Sequence, residues 1–197
     1  MKANNKKIVI LLGFIIFIYI GYTFVSNRDT IMKNISGEGD KIRNTLIVKN
    51  YRMEHNIKIK DEYGKTKEDI LLKSDTYGKK ILTQKIVSNI TTEYYEDGKN
   101  LYKKENDKYE IYNENIIENI DLKLLDLDYV SALIGSAKEE SRTINTLTLY
   151  NKIDNIRIIL TYDMNKDLDT FTIEKDNYVI KSKLYDIDLV EDFDPLK

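Results

Sequence analysis

The sequence predicts an α+β domain, a curved antiparallel sheet covered by one amphipathic helix, preceded by a segment directed to a membrane. Three observations predict it. Runs in which every second residue is apolar recur from Tyr51 to Tyr185, separated by turns rich in Asp, Asn and Gly. Only between Asn115 and Ala137 do apolar residues recur at three- and four-residue steps instead. Near the start, Lys2, Lys6 and Lys7 precede an uncharged run from Ile8 to Val25.

That run is just long enough to span a hydrocarbon core of ~30 Å at ~1.5 Å per residue. Ile8, Leu12, Phe14, Phe17 and Ile20 are the expected membrane contacts. Its apolar heart also has the length of a signal-peptide core, so cleavage and retention both stay open. No small-x-small site follows, which favours a retained anchor. The lysines before it hold the N-terminus inside, placing the remainder outside the cell membrane in a single-pass arrangement. Residues 1–27 therefore read as signal anchor or signal peptide, and 28–197 as one extracytoplasmic domain.

Arg28 to Asn44 reads as a short helix and loop, broken by Gly37 and Gly39. Strands follow. Tyr51, Met53, His55, Ile57 and Ile59 share one face of the first, and their neighbours are polar. Glu68–Thr76 and Lys80–Ile90 come next, then Thr91–Tyr95 and Asn100–Lys104 around Asp97-Gly98, a strong hairpin signal. A turn at Glu105–Asp107 leads into Lys108–Tyr112. This is a meander, with no helical crossovers between neighbouring strands. The helix expected over Asn115–Ala137 carries Ile116, Ile117, Ile120, Leu124, Leu127, Val130, Leu133 and Ile134. Asn113 or Asn115 would cap its start and Gly135 lies near its end, while Leu122–Asp128 is a place where it could bend or divide. A second block, Thr143 to Asp188, holds four strands: Thr146–Tyr150, Ile156–Tyr162, Thr170–Glu174 and Tyr178–Tyr185.

Composition narrows the function. Net charge is −2 with 32% charged residues, so no basic stripe offers itself to nucleic acid. Without a single Cys, the domain is held by burial alone and has neither thiol nucleophile nor thiolate metal site. The one imidazole, His55, falls in phase with the apolar face of its strand and reads as a packed core residue. Ser131, Ser136 and Ser141 lack any surrounding nucleophile motif. Asp186 and Asp188, alternating in a strand, would share one side, but the acidic tail they begin lacks the glycine and spacing of a calcium loop and reads as a solvated edge. No phosphate loop or dinucleotide fingerprint is present. The expectation is a protein that is not an enzyme, with no metal and no cofactor.

Two functions of different kinds survive. In one, the sheet presents an edge or the tyrosine hairpin to a protein partner, with Tyr94, Tyr95, Tyr102, Tyr109 and Tyr112 as candidate contacts, about half of them expected in the core or in cross-strand pairs. Exposed strands could also pair two copies into a homodimer. In the other, the concave sheet carries a lipid or acyl chain.

The hairpin Tyr94-Tyr-Glu-Asp-Gly-Lys-Asn-Leu-Tyr and the ending Lys183-Leu-Tyr-Asp-Ile-Asp-Leu-Val-Glu-Asp-Phe-Asp-Pro195 resemble those of the LolA/LppX-like half-barrel carriers of bacterial lipoproteins. Within that group, size, composition and the position of the signal are similar to the GerS group of clostridial spore-germination lipoproteins. The chain departs from them at Tyr22, where a lipoprotein signal has the lipidated Cys. The resemblance implies a half-barrel. It also implies a non-catalytic accessory role: binding and regulating a cell-wall N-acetylmuramoyl-L-alanine amidase of the spore cortex, from the cell, forespore or spore membrane, in sporulation or germination. Topology is directly testable: a periplasmic-type reporter enzyme fused after Lys197 is expected to be active and a cytoplasmic one silent, and the reverse pattern removes the anchored reading.

Overall fold

The computed structural model describes residues 50–165 and 167–196; the predicted membrane segment and the helix expected over Arg28–Asn44 lie outside the described residues. The described chain forms one curved, wholly antiparallel sheet of eleven strands. In chain order these are β1 (Asn50–Lys60), β2 (Thr66–Tyr77), β3 (Lys80–Val87), β4 (Ile90–Glu96), β5 (Leu101–Glu105), β6 (Lys108–Ile111), β7 (Lys138–Arg142), β8 (Thr146–Asn151), β9 (Ile156–Tyr162), β10 (Leu168–Lys175) and β11 (Tyr178–Tyr185). A 3₁₀ turn, Leu122–Leu125, and helix α1, Leu127–Ser136, stand between β6 and β7.

Across the sheet the order is β6-β5-β4-β3-β2-β1-β11-β10-β9-β8-β7. Two meanders are thus joined back to back where β1 pairs with β11. Tight turns explain the meanders. Ser88-Asn89 and Asn106-Asp107 take left-handed backbone at both central positions, matching the twist of the strands they connect. At the Asp-Gly hairpin, Asp97 Oδ1 accepts from the backbone N–H groups of Lys99 and Asn100, both at 2.8 Å. Gly98 sits at φ +86°, where a Cβ would stand 2.9 Å from that of Lys79.

The connection from β6 to β7 links opposite edges of the sheet, and its apolar side chains pack on one face. That face, the inner one, collects Met53, Ile57 and Ile59 of β1, Ile70 and Leu72 of β2, Leu147 and Leu149 of β8, Ile158 and Leu160 of β9, Phe171 and Ile173 of β10, and Ile180 of β11 against Leu127, Val130, Leu133 and Ile134 of α1. Strand alternation leaves the outer face to ion pairs such as Arg157–Glu140 at 2.9 Å and Lys183–Asp169 at 3.1 Å, partly exposed contacts worth little individually.

The structure corrects three expectations. The helix over Asn115–Ala137 is much shorter. Asn119 adopts φ +64°, which ends any right-handed helix there, and two aspartates restart the chain. Asp121 caps the 3₁₀ turn, and Asp126 accepts from the N–H groups of Asp128 and Tyr129 to cap α1. The apolar spacing is satisfied by an irregular segment, a turn and a helix of ten residues. An unforeseen strand, β7, reads Lys-Glu-Glu-Ser-Arg and has no apolar alternation because it is a short charged edge. Finally, Asp186 and Asp188 are not in a strand: β11 ends at Tyr185, and both have left-handed backbone. Asp186 instead receives Arg52 Nη1 at 3.0 Å.

Among the described residues no helix is long and apolar enough to cross a membrane. Truncating the fully buried Ile158 to Ala is expected to lower unfolding free energy by about 2–5 kcal/mol, while Ile153→Ala, at a site 91% exposed, changes it by less than ~0.5 kcal/mol; urea denaturation of the two variants checks this.

Candidate functional site

Helix α1 packs on the inner face over the second meander, against β8. Over the β1–β3 part of the cleft the cover is the 3₁₀ turn and the irregular segment before it. The inner-facing residues there also become smaller: β2 turns Ser74 and Thr76 inward, and β3 turns Thr83. Small side chains under a thin roof leave a cleft of about 210 Å³. Its floor is Tyr51, Met53 and Leu72 with Ile81, and its roof is Ile116, Leu122 and Leu125. Polar atoms punctuate it at His55, Ser74, Thr76, Thr83 and Glu96.

Each polar group has a distinct state. His55 is 4% exposed, and its Nδ1 lies 2.8 Å from Oγ of Ser182 on the adjoining strand β11. Burial lowers its pKa to about 4, so the ring is neutral at neutral pH. A serine hydroxyl against an imidazole is also how a nucleophile is activated. Here Ser182 is fully buried beneath the sheet, so no substrate reaches its oxygen. The pair is structural. Burial is the main cause of the raised pKa of Tyr51, partly offset by the neighbouring Thr76 side chain. Ser74 Oγ donates to the carbonyl of Met53 at 3.5 Å. Glu96 stands at the rim, accessible to solvent, with its pKa raised first by partial desolvation and then by the charge of Asp97.

The five tyrosines predicted as partner contacts lie at the neighbouring end of the sheet, divided between its faces. Consecutive residues in a strand point oppositely, so Tyr94 is inside and Tyr95 outside, and yet both are buried, at 4% and 1% exposure. Tyr94 packs against Tyr112 with ring centroids 5.5 Å apart. On the outer face Tyr95 is enclosed by Tyr102, Tyr109 and Phe193 at 6.0, 6.1 and 6.2 Å. Phe193 belongs to the C-terminal tail, which crosses this face and is pinned by Lys80 Nζ to Asp192 at 2.6 Å. Tyr102 donates to Asp97 at 3.1 Å, and Tyr109 donates to Glu93. Burial and the Glu93 carboxylate together push the Tyr109 hydroxyl well above its usual pKa. Tyr94 and Tyr95 are therefore packing residues, while Tyr102, Tyr109 and Tyr112 are half-buried.

A ligand-holding concave face was one of the two sequence expectations, but the residues that line the cleft were not named as its lining. Their signal was present: Ser74 and Thr76 continue the inward phase of Ile70 and Leu72, so that phase turns polar and small partway along one strand. On the outer face, a depression of about 570 Å³ over β1, β10 and β11 is lined chiefly by residues with charged and hydroxyl groups. Among the described residues no group of three or more His, Asp or Glu comes together in metal-binding geometry.

No protein-family model and no curated protein matches the chain. Among solved structures, LprF from Mycobacterium bovis is similar over 76% of this chain and 92% of its own, at 13% identity and a TM-score of 0.43. A DUF1329 family protein from Desulfovibrio piger is similar over 79% of this chain and 92% of its own, at 9% identity and a TM-score of 0.32. What the cleft can do is set by this chain's own residues.

His55 gives the fold an acid sensitivity of known sign. Its folded pKa of about 4 lies below the unfolded value of ~6.5, so the unfolded chain binds the extra proton between them. Stability from this group is full above ~6.5 and falls as pH drops towards 4, by about 3 kcal/mol in all. Denaturation midpoints of wild type and His55→Gln, compared from pH 7 to 4, are expected to converge as the pH falls; parallel curves contradict the assignment.

Proposed function

We propose that this protein is a non-catalytic binding module whose inner-face cleft takes a slender apolar group, either a short chain or the end of a longer one. One observation carries the reading: an open, mostly apolar cleft of about 210 Å³ where the core would otherwise close. Most small-molecule pockets measure ~300–1,000 Å³, so this one holds part of a larger ligand or all of a small one. Residues 8–25, read as a membrane anchor, would place the domain beside a bilayer, a source of such groups.

A second reading has an observation of its own. Among the described residues edge strand β6 has no partner on its far side, and its last residue, Ile111, is 63% exposed. An unpaired edge with an apolar residue is where another chain adds a strand. The partner implied by the GerS-like pattern is a cell-wall amidase, and a second copy of this chain is the other occupant of such an edge.

The cleft reading is tested by filling it. The full-length protein in nanodiscs is titrated with a short alkyl ligand, hexanol, and followed by methyl NMR of Met53, Leu72 and Ile81. Saturable shifts are expected in wild type and at least tenfold weaker binding in Ser74→Leu. Shifts that survive the filled cleft unchanged count against it. If a purified amidase binds the protein and Ile111→Asp abolishes this while hexanol does not compete, the edge reading replaces it.

A further inference from the structure

The cleft is a slot with two unlike ends. Pairing places Tyr51, Thr76, Ile81 and Glu96 in one row across β1 to β4, and His55, Leu72 and Lys85 in another. The rows are four residues apart along β1, or about 13 Å, and β4 lies three strands from β1, or about 14 Å. A diagonal from the Glu96 rim to His55 is therefore long compared with a cleft of about 210 Å³, which makes the space narrow.

The rim end is left open by the described residues. Among the described residues Glu96 has no hydrogen-bond or ion-pair partner, although it is partly desolvated and the nearby charge of Asp97 has the same sign. The inner-face lysines of adjoining strands are engaged elsewhere: Lys85 Nζ donates to the carbonyl of Ile116 at 2.8 Å, and Lys103 pairs with Glu105 at 2.7 Å beneath Tyr112. At the inner end, His55 is buried, with Nδ1 taken by Ser182. A solvent-accessible carboxylate at the cleft rim without a counter-ion favours a cation there.

Building on the cleft reading, we propose that the slot selects elongated apolar ligands that carry an ammonium group at one end, with the ammonium paired to Glu96 and the chain lying along Ile81, Thr83 and Leu72. The complementarity is of charge as well as shape. An alkanoate of the same length places like charges together at the rim, and a neutral alcohol gains only the apolar contacts. Amino-headed lipids and amine-ended apolar molecules of other origin share this chemistry.

The test compares hexylammonium, hexanoate and hexanol at pH 7.5 on the full-length protein in nanodiscs, read by the methyl shifts of Met53, Leu72 and Ile81. Hexylammonium is expected to bind at least tenfold more tightly than hexanoate, with hexanol between them. Glu96→Gln, a rim substitution outside the core, should bring the three within about twofold, and Glu96→Lys should reverse the order. Equal affinities in wild type, or an ammonium preference that survives Glu96→Gln, overturn this inference while leaving the cleft reading intact. Failure of all three to bind removes both. If the preference holds, vesicles of phosphatidylethanolamine against vesicles of phosphatidylglycerol, added as competitors, decide whether the source is a lipid.

Discussion

The pairing of β1 with β11 is the constraint on which the rest depends. Every other strand pairs with a neighbour in sequence across a short turn, which a chain finds readily. This one joins Arg52–Ile59 to Tyr178–Tyr185, and without it there would be two separate meanders, neither with a closed core. Its stability is concentrated on the inner face. Ile57 and Ile180 are opposed and fully buried, and beside them the His55–Ser182 hydrogen bond satisfies the two polar groups that the interface encloses. The long-range closure costs entropy that only a well-packed seam offsets.

The two faces of the sheet are closed by different means. Inside, α1 supplies a rigid apolar stripe over one half, and an irregular segment supplies a thinner roof over the other. Outside, where α1 does not reach, Phe193 and Asp192 of the tail shelter Tyr95. The cleft lies where the rigid cover gives way to the thin one. Asp126 marks that boundary, because its cap fixes where the helix begins and hence how far its cover extends.

Much of this was legible in the sequence, for identifiable reasons. Ten of the strands announce themselves by alternation or by turn residues, because a half-buried strand must alternate and a tight turn needs residues that tolerate left-handed backbone. β7 could not be seen: an edge exposed on both sides has no reason to alternate. The helix was over-read because three- and four-residue spacing says only that the apolar groups meet one surface, and Ile116 and Ile117 meet it from non-helical backbone. The tyrosines were recognised as a group, but Tyr95 needs Phe193, some hundred residues away, to become interior, and no local pattern reports that. His55 was placed correctly on the apolar phase; its position on a cleft wall depended on how small its neighbours across the sheet happened to be.

The seam has a consequence for how the protein is made. Among the described residues β1 is the first strand of the sheet to be synthesised, and one of its two partners is the last. The sheet therefore remains two unfinished pieces until residue 185 has left the ribosome, several seconds after β1 at ~5–20 residues per second. Throughout that interval the apolar edge of β1 is bare on one side. A chain built in this way completes its core only at the end, when the two meanders meet along β1 and β11.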